Sequence, residues 1–170
     1  AVAFAHELHQ LVFIQTPAAF NISAVQIDQG TVSAGKTNLT VNYNVINSGE
    51  ASLRITQVVP QATPLPNGII FTRLSPSTLP TLLGGDTASF VYRVDAGTIL
   101  GTFAINFNIT GTDQNDSRTI GPQISPTPAT LVINQPGTIV VDSVVIVKRT
   151  VSVGQTNIPA TVYVRNSGQM

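Results

Sequence analysis

Apolar and polar side chains alternate in three clear runs along the chain. In Leu39–Val45 the apolar residues occupy every second position, and the same period recurs in Ala88–Val94 and Phe103–Ile109. Because successive side chains of a β-strand point to opposite faces of a sheet, this period predicts strands with one buried face. Four further segments are strand candidates on weaker patterns: Ile22–Gln29, Ala51–Val59, Ile69–Leu74 and Ala129–Asn134.

Turn-forming residues separate these predicted strands. Glycine, asparagine and proline cluster in Asn47–Gly49, Pro66–Gly68, Gly84–Asp86 and Ala96–Gly97, which favours tight connections. No segment between the strands has a helical apolar period of useful length. About seven short strands in roughly 100 residues are typical of an immunoglobulin-like β-sandwich, so we predict an all-β fold of that kind.

The chain also contains an internal repeat. Residues Thr31–Asn38, TVSAGKTN, return as Thr150–Asn157, TVSVGQTN, 119 residues later. Over the nineteen aligned positions that begin there, ten residues are identical, whereas chance would give roughly one or two. The same offset places Val12–Pro17 opposite Leu131–Pro136. Since this period is the size of a whole domain, we predict a tandem repeat of immunoglobulin-like sandwiches.

The repeat divides the chain into three predicted parts. Residues 1–17 hold the closing strand of a preceding domain or a donor strand, residues 18–136 form one complete immunoglobulin-like domain, and residues 137–170 hold the opening strands of a second, incomplete one. Linkers at Thr16–Ala19 and Gln135–Thr138 join the parts, and each contains a proline. Short proline-containing linkers restrict swivelling, so we expect a semi-rigid rod.

Two strands predicted near the C-terminus, Val140–Val147 and Ile158–Val164, would expose an apolar face, because an isolated hairpin buries too little surface. Either the polypeptide continues beyond Met170 or another chain supplies the missing strands. The candidate donor is Leu11–Gln15, but one strand is fewer than the roughly five missing from such a sandwich, which favours a longer chain. Residues expected to act in assembly are Leu11, Val12, Phe13, Ile14, Pro17, Pro136, Val144, Ile158, Val162 and Val164.

Composition narrows the functional classes. Eight basic and eight acidic residues cancel, and only 9% of residues are charged, against about 25% in an average protein. This balance argues against nucleic-acid partners and a basic membrane-binding surface. The chain has no cysteine, which removes disulfides, cysteine metal sites and cysteine nucleophiles. No run of apolar residues is long enough for a membrane-spanning helix, so membrane insertion is not expected.

Little in the sequence points to catalysis. His6 and His9 lie three residues apart, whereas the zinc-protease motif places its histidines four apart with a glutamate beside the first. With no other histidine, a Ser–His–Asp arrangement cannot be assembled. Asp113, Asn115 and Asp116 crowd one predicted turn, but the further oxygen ligands that calcium requires are not evident. We therefore expect no catalytic residue, no metal and no cofactor.

Four acceptor sequons for N-linked glycans are present, at Asn21, Asn38, Asn108 and Asn115. About two would arise by chance in a chain this rich in Asn, Ser and Thr. Asn38 corresponds to Asn157 in the repeat, where the sequence Asn-Ile-Pro is not a sequon. N-linked glycans are candidate modifications at all four asparagines, and a turn-forming role is the alternative for Asn38.

The segments Thr31–Asn47, Ser48–Ala51, Gly84–Phe90 and Gly101–Ile105 together resemble the CARDB type of immunoglobulin-like domain, the cell-adhesion-related domain found in bacteria. The resemblance implies an extracellular or cell-surface array and brings no catalytic residues. We accordingly expect a non-enzymatic structural unit of a fibre, stalk or surface array, whose partners are copies of itself or neighbouring repeats, end to end. The alternative is an accessory carbohydrate- or protein-binding module of a larger secreted enzyme or adhesin.

Overall fold

The computed structural model describes residues 12–66 and 68–169. Thirteen strands and no helix occur in these two ranges. The strands are β1 (Phe20–Ile22), β2 (Gln26–Ile27), β3 (Thr31–Ser33), β4 (Leu39–Asn47), β5 (Leu53–Thr63), β6 (Ile70–Ser75), β7 (Thr81–Leu82), β8 (Thr87–Asp95), β9 (Gly101–Asp113), β10 (Thr119–Ile124), β11 (Ala129–Asn134), β12 (Ile139–Ile146) and β13 (Ala160–Asn166).

Strands β1 to β11 form two sheets, which we call the sandwich. In the first sheet the order is β1–β4–β8–β6, with β2 on the same strand β4. In the second sheet the order is β3–β11–β9–β5–β7, with β10 added to β9. The pairs are antiparallel except β3 with β11, which is parallel. The prediction of an all-β, sandwich-like fold is confirmed.

The core lies between the two sheets and is filled by the predicted alternating strands. Every second residue of β4 and β9 is buried, and β8 buries Phe90, Tyr92 and Val94 in the same alternation. Tyr43 stacks on Phe90 with ring centroids 5.2 Å apart, and Phe107 lies 4.3 Å from Tyr43 and 4.8 Å from Tyr92. Such aromatic groups contribute strongly to stability because each buries a large apolar area.

Some strand boundaries differ from the prediction. The predicted strand Ile22–Gln29 is two short strands, because the Asn44 amide donates to the Ser23 hydroxyl at 2.8 Å and the Val25 amide donates to the Thr127 carbonyl. Strand β5 runs beyond the predicted end through Pro60, which pairs with Phe107 of β9. β7 covers the other edge of β5 only at Leu53 and Arg54, so the edge at Pro60 needs no ladder donor.

The sandwich has two poles, defined by the ends of β4. Leu39 lies at one end, near the contact in which the Gly35 amide donates to the Gly97 carbonyl. Asn47 lies at the other end and donates its amide to the Asp86 carbonyl. We call these the C-terminal and N-terminal poles, because β11 ends at the first and the chain enters β1 at the second. Eight residue steps of a strand separate them by roughly 27 Å.

Strands β12 and β13 form a separate two-stranded sheet, the C-terminal hairpin. Its apolar side chains are largely exposed on both faces, including Val141, Val144, Val162 and Val164. This exposure agrees with the predicted unfilled apolar face. Ile158, by contrast, lies before β13 and is half-buried.

Candidate assembly junction

The segment that leads into the sandwich is held by hydrogen bonds at the N-terminal pole. The Thr16 amide donates to the Glu50 carboxylate at 2.8 Å, and the Ala51 amide donates to the Thr16 carbonyl at 3.0 Å. The Asn115 side-chain amide donates to the Gln15 side-chain oxygen at 2.8 Å. We call these contacts of residues 15–18 the N-terminal junction, and they fix the direction in which the preceding segment leaves the sandwich.

A buried asparagine shapes the loop that receives this segment. The Asn47 side-chain nitrogen donates to the carbonyls of Ala51 and Leu82, at 2.8 and 3.2 Å. Its side-chain oxygen accepts the Gly49 amide at 3.1 Å and the Ala19 amide at 3.4 Å. One side chain therefore satisfies four backbone groups, as a buried polar group must to offset its loss of hydration.

Gly49 is required by the close approach of the linker. A side chain at this position would meet the backbone of Pro17 and would lie 2.8 Å from the Cα atom of Ala18. Pro17 itself is exposed. The predicted inter-domain residue Pro17 thus contacts the sandwich through its backbone.

Asp113 completes the junction from β9. Its carboxylate accepts the Ala18 amide at 2.7 Å and the Asn115 amide at 2.8 Å, and the residue is 1% exposed. The Ala18 amide is the main cause of a lowered pKa, and the Asn115 amide and the charge of Arg118 act in the same direction. The carboxylate is therefore held ionised and ties the linker to the end of β9.

The same contacts recur 119 residues later at the start of the C-terminal hairpin. The Gln135 amide donates to the Gln169 side chain at 3.0 Å, as Thr16 does to Glu50. The Asn166 side-chain oxygen accepts the amides of Thr138 and Gly168, as that of Asn47 accepts those of Ala19 and Gly49. A side chain at Gly168 would likewise meet the backbone of Pro136. We call this set the C-terminal junction.

Strand register is repeated at the same offset. β1 and β2 pair with β4, and β12 pairs with β13, through residues that correspond one for one. The corresponding pairs are Phe20–Asn47 with Ile139–Asn166, Asn21–Ile46 with Val140–Arg165, Ile22–Val45 with Val141–Val164, Gln26–Asn42 with Val145–Thr161, and Ile27–Val41 with Ile146–Ala160. Val45 is fully buried, whereas Val164 is 57% exposed. The hairpin has the conformation of the first strands of the sandwich without their covering.

The remaining predicted assembly residues are exposed or outside the described residues. Val12, Phe13 and Ile14 are exposed, and Pro136 is exposed within the C-terminal junction. Leu11 lies outside the described residues, as do His6 and His9. Sequence reasoning missed Asn47, Glu50 and Asp113 as junction residues. The repeated Asn-Ser-Gly of positions 47–49 and 166–168 was the available signal for the first.

The four sequon asparagines have different surroundings. Asn21 and Asn115 are exposed. Asn38 has a left-handed backbone conformation with φ 60°, and so does its counterpart Asn157 with φ 56°. Asparagine adopts this conformation more readily than most residues, which fits a turn at both positions. Asn108 is half-buried within β9, and its side-chain oxygen is buried. Asn21 and Asn115 are therefore the more accessible acceptors.

No group of three or more acidic or histidine side chains in the described ranges could hold a metal ion. The expected turn at Asp113–Asp116 instead uses Asp113 to receive backbone amides. Among the same residues, no helix has the length and apolarity needed to cross a membrane. The exposed aromatic Tyr163 lies on β13, and Tyr43 and Tyr92 are buried as the alternation predicts.

Comparison with known proteins identifies no relative by sequence. No family model matches the chain, and no curated protein matches it, so the resemblance to CARDB domains stays a prediction. Among solved structures, the chain is similar to the secreted serine protease VesC from Vibrio cholerae, with a TM-score of 0.45 and 9% identity. The similarity covers 72% of this chain and 28% of that protein. A likeness at this level carries no argument about activity.

Proposed function

We propose that this chain is a non-enzymatic structural unit of an extracellular fibre, stalk or cell-surface array, built from immunoglobulin-like domains stacked end to end. The observation that carries the proposal is the recurrence of one junction at two places. Thr16–Glu50 and Gln135–Gln169 make the same contact 119 residues apart. A linker docked in the same way at each boundary would set the same angle at each boundary, which is what a regular rod requires.

The strand order supports the immunoglobulin-like part of the proposal. An immunoglobulin-like sandwich sets strands A, B, E and D in one sheet against C, F and G in the other. The order β1–β4–β8–β6 corresponds to the first set, and β5–β9–β11 corresponds to the second. On this basis we assign residues 18–136 to one domain of a tandem repeat and residues 137–170 to the opening strands of the next.

The positions of the two junctions support a rod. The N-terminal junction lies at the Asn47 end of β4, and the C-terminal junction follows Asn134, whose carbonyl accepts the Ala34 amide at the opposite pole. Units that enter at one pole and leave at the other extend in one direction. Such head-to-tail contacts are heterologous, and they produce open chains when the rotation between units does not close a ring.

The alternative role, an accessory binding module, has weaker support. Carbohydrate platforms use exposed aromatic faces, and of the three tyrosines Tyr43 and Tyr92 are buried in the core while Tyr163 is exposed on the hairpin. An extracellular location is part of the preferred proposal, supported by the low charge and the exposed sequons Asn21 and Asn115.

Negative-stain electron microscopy and sedimentation velocity of the whole chain test the proposal. We expect elongated particles whose length grows with protein concentration. The variant Val12→Asp/Ile14→Asp should abolish this growth and leave the circular dichroism of the sandwich unchanged. The control Leu65→Asp changes an equally exposed residue of the β5–β6 loop and should assemble normally. Compact, concentration-independent particles from the unsubstituted chain would overturn the proposal.

A further inference from the structure

Two exposed segments of this chain correspond to two strands that pair with each other inside the sandwich. Val12–Gln15 is the counterpart of Leu131–Asn134 in β11, and Thr150–Ser152 is the counterpart of β3. In the sandwich these strands lie side by side in parallel. Neither Val12–Gln15 nor Thr150–Ser152 is in a strand.

The apolar side chains of both exposed segments are uncovered, whereas their counterparts in the sandwich are buried. Leu131 and Ile133 of β11 are 0% and 1% exposed, whereas Val12 and Ile14 are 82% and 92% exposed. Val32 of β3 is buried, and its counterpart Val151 is exposed. Burying such side chains against each other is favourable by about 25 cal/mol per Å² of apolar surface.

The two segments lie on opposite sides of the sandwich within one chain. Gln15 contacts Asn115 at the N-terminal pole. Thr150–Ser152 lies beyond the C-terminal junction, which begins at the opposite pole. A pairing between them therefore joins two chains.

We infer that Val12–Gln15 of one copy pairs in parallel with Thr150–Ser152 of a second copy, by β-strand addition. This inference rests on the proposed function and names the contact that joins its units. The occupant is a second copy because this chain carries both halves of the pairing, in register with a pair already present in its own sandwich.

The sandwich fixes the register of the contact. Val132, Ile133 and Asn134 pair with Thr31, Val32 and Ser33. Shifted by the repeat, Phe13 pairs with Thr150, Ile14 with Val151 and Gln15 with Ser152. Ile14 and Val151 then face inward, toward the hairpin surface that holds Val141 and Val164. Phe13 and Thr150 then face outward, because their counterparts Val132 and Thr31 are half-buried and exposed, respectively.

Disulfide trapping tests this register, because the chain has no cysteine of its own. The outward pair is changed to cysteine in the whole chain, Phe13→Cys/Thr150→Cys, since neighbouring strands bring Cα atoms within disulfide range. After mild oxidation we expect a ladder of covalent dimers, trimers and longer species on a non-reducing gel. Peptide mass spectrometry should find the cross-link between positions 13 and 150 of different chains.

The matched control is Phe13→Cys/Thr156→Cys, in which the second cysteine lies in an exposed loop outside the proposed pairing. It should form the ladder several-fold more slowly. Equal ladders from both pairs would overturn the register. Elongated particles without a 13–150 cross-link would overturn strand pairing while leaving the proposed function in place. The absence of both particles and cross-links would overturn both proposals.

Discussion

The backbone of Pro17 occupies the space that a side chain at position 49 would need. A Cβ atom on Gly49 would lie 2.8 Å from the carbonyl carbon of Pro17, and one on Gly168 would lie 2.8 Å from that of Pro136. Both contacts are with backbone, which a rotamer change cannot relieve. The linker can dock this closely only because glycine stands at both positions.

Gly49→Ala should therefore undock the linker or strain the loop. We expect a loss of about 1–3 kcal/mol in the free energy of unfolding, the usual cost of an added methyl group in a packed site. Urea unfolding followed by circular dichroism measures it. The neighbouring Ser48→Ala, at an exposed position, should change stability by less than about 0.5 kcal/mol. Equal stability of the alanine variant at 49 and the unsubstituted protein would contradict the close approach.

A lowered carboxyl pKa makes the junction sensitive to acid. In the unfolded chain Asp113 has its ordinary pKa of 3.8, and in the folded protein the Ala18 and Asn115 amides lower it. The stabilisation is present above the unfolded pKa and is lost as the pH falls through the folded one. Asp113→Asn should reduce the loss of stability between neutral and acid pH. Thermal unfolding at several pH values measures this difference.

The matched control for Asp113 is Asp116, which lies three residues further along the chain in the same turn and is exposed. Asp116→Asn should leave the acid dependence close to that of the unsubstituted protein. If both variants have the same pH profile, the hydrogen bonds to Asp113 are not its origin.

Alternation was sufficient to predict β4, β8 and β9, because β4 and β9 bury every second side chain and β8 does so from Phe90 onward. It could not predict the break between β1 and β2. At this break the Ser23 hydroxyl accepts the Asn44 amide and the Thr127 carbonyl accepts the Val25 amide, and both partners are distant in sequence. The internal repeat indicated a repeated turn at Asn47, but Asp113 lies 95 residues from its partner Ala18. Such a pair has no local pattern, so the junction became visible only in three dimensions.

Burial of Tyr43 predicts a loss of stability at alkaline pH. Burial is the main cause of a pKa raised above the ordinary 10.0, and the neighbouring Tyr92 raises it further. Below the pKa of the unfolded chain the Tyr43 hydroxyl is neutral in both states and folding is unaffected. As the pH rises above that pKa the hydroxyl ionises in the unfolded chain but stays neutral in the fold, so the free energy of unfolding falls. Tyr43→Phe should reduce the alkaline loss of stability measured by urea unfolding from neutral pH to above pH 10.

At neutral pH the same variant should be as stable as the unsubstituted protein or more stable by up to about 1 kcal/mol, because the buried Tyr43 hydroxyl has no hydrogen bond of ordinary length within the described residues. Tyr163→Phe is the control, since Tyr163 is exposed on the hairpin. A large loss of stability in Tyr43→Phe at neutral pH would mean that the hydroxyl is hydrogen-bonded after all.

Glu50 and Gln169 offer a test of whether the two junctions are equivalent. The Glu50 carboxylate accepts the Thr16 amide at 2.8 Å, and the Gln169 side-chain oxygen accepts the amide of Gln135 at 3.0 Å. Thr16 and Gln135 are equivalent positions in the repeat. Because a glutamine already performs this role at the second junction, Glu50→Gln should keep the linker docked. Glu50→Ala removes the acceptor and should release it, with the core of the sandwich intact. Amide hydrogen exchange at Thr16 and Ala51 is the measurement: protection should survive in the glutamine variant and fall several-fold in the alanine variant. Loss of protection in both variants would mean that the charge of Glu50, and not its acceptor oxygen, holds the linker, and the two junctions would then differ in kind.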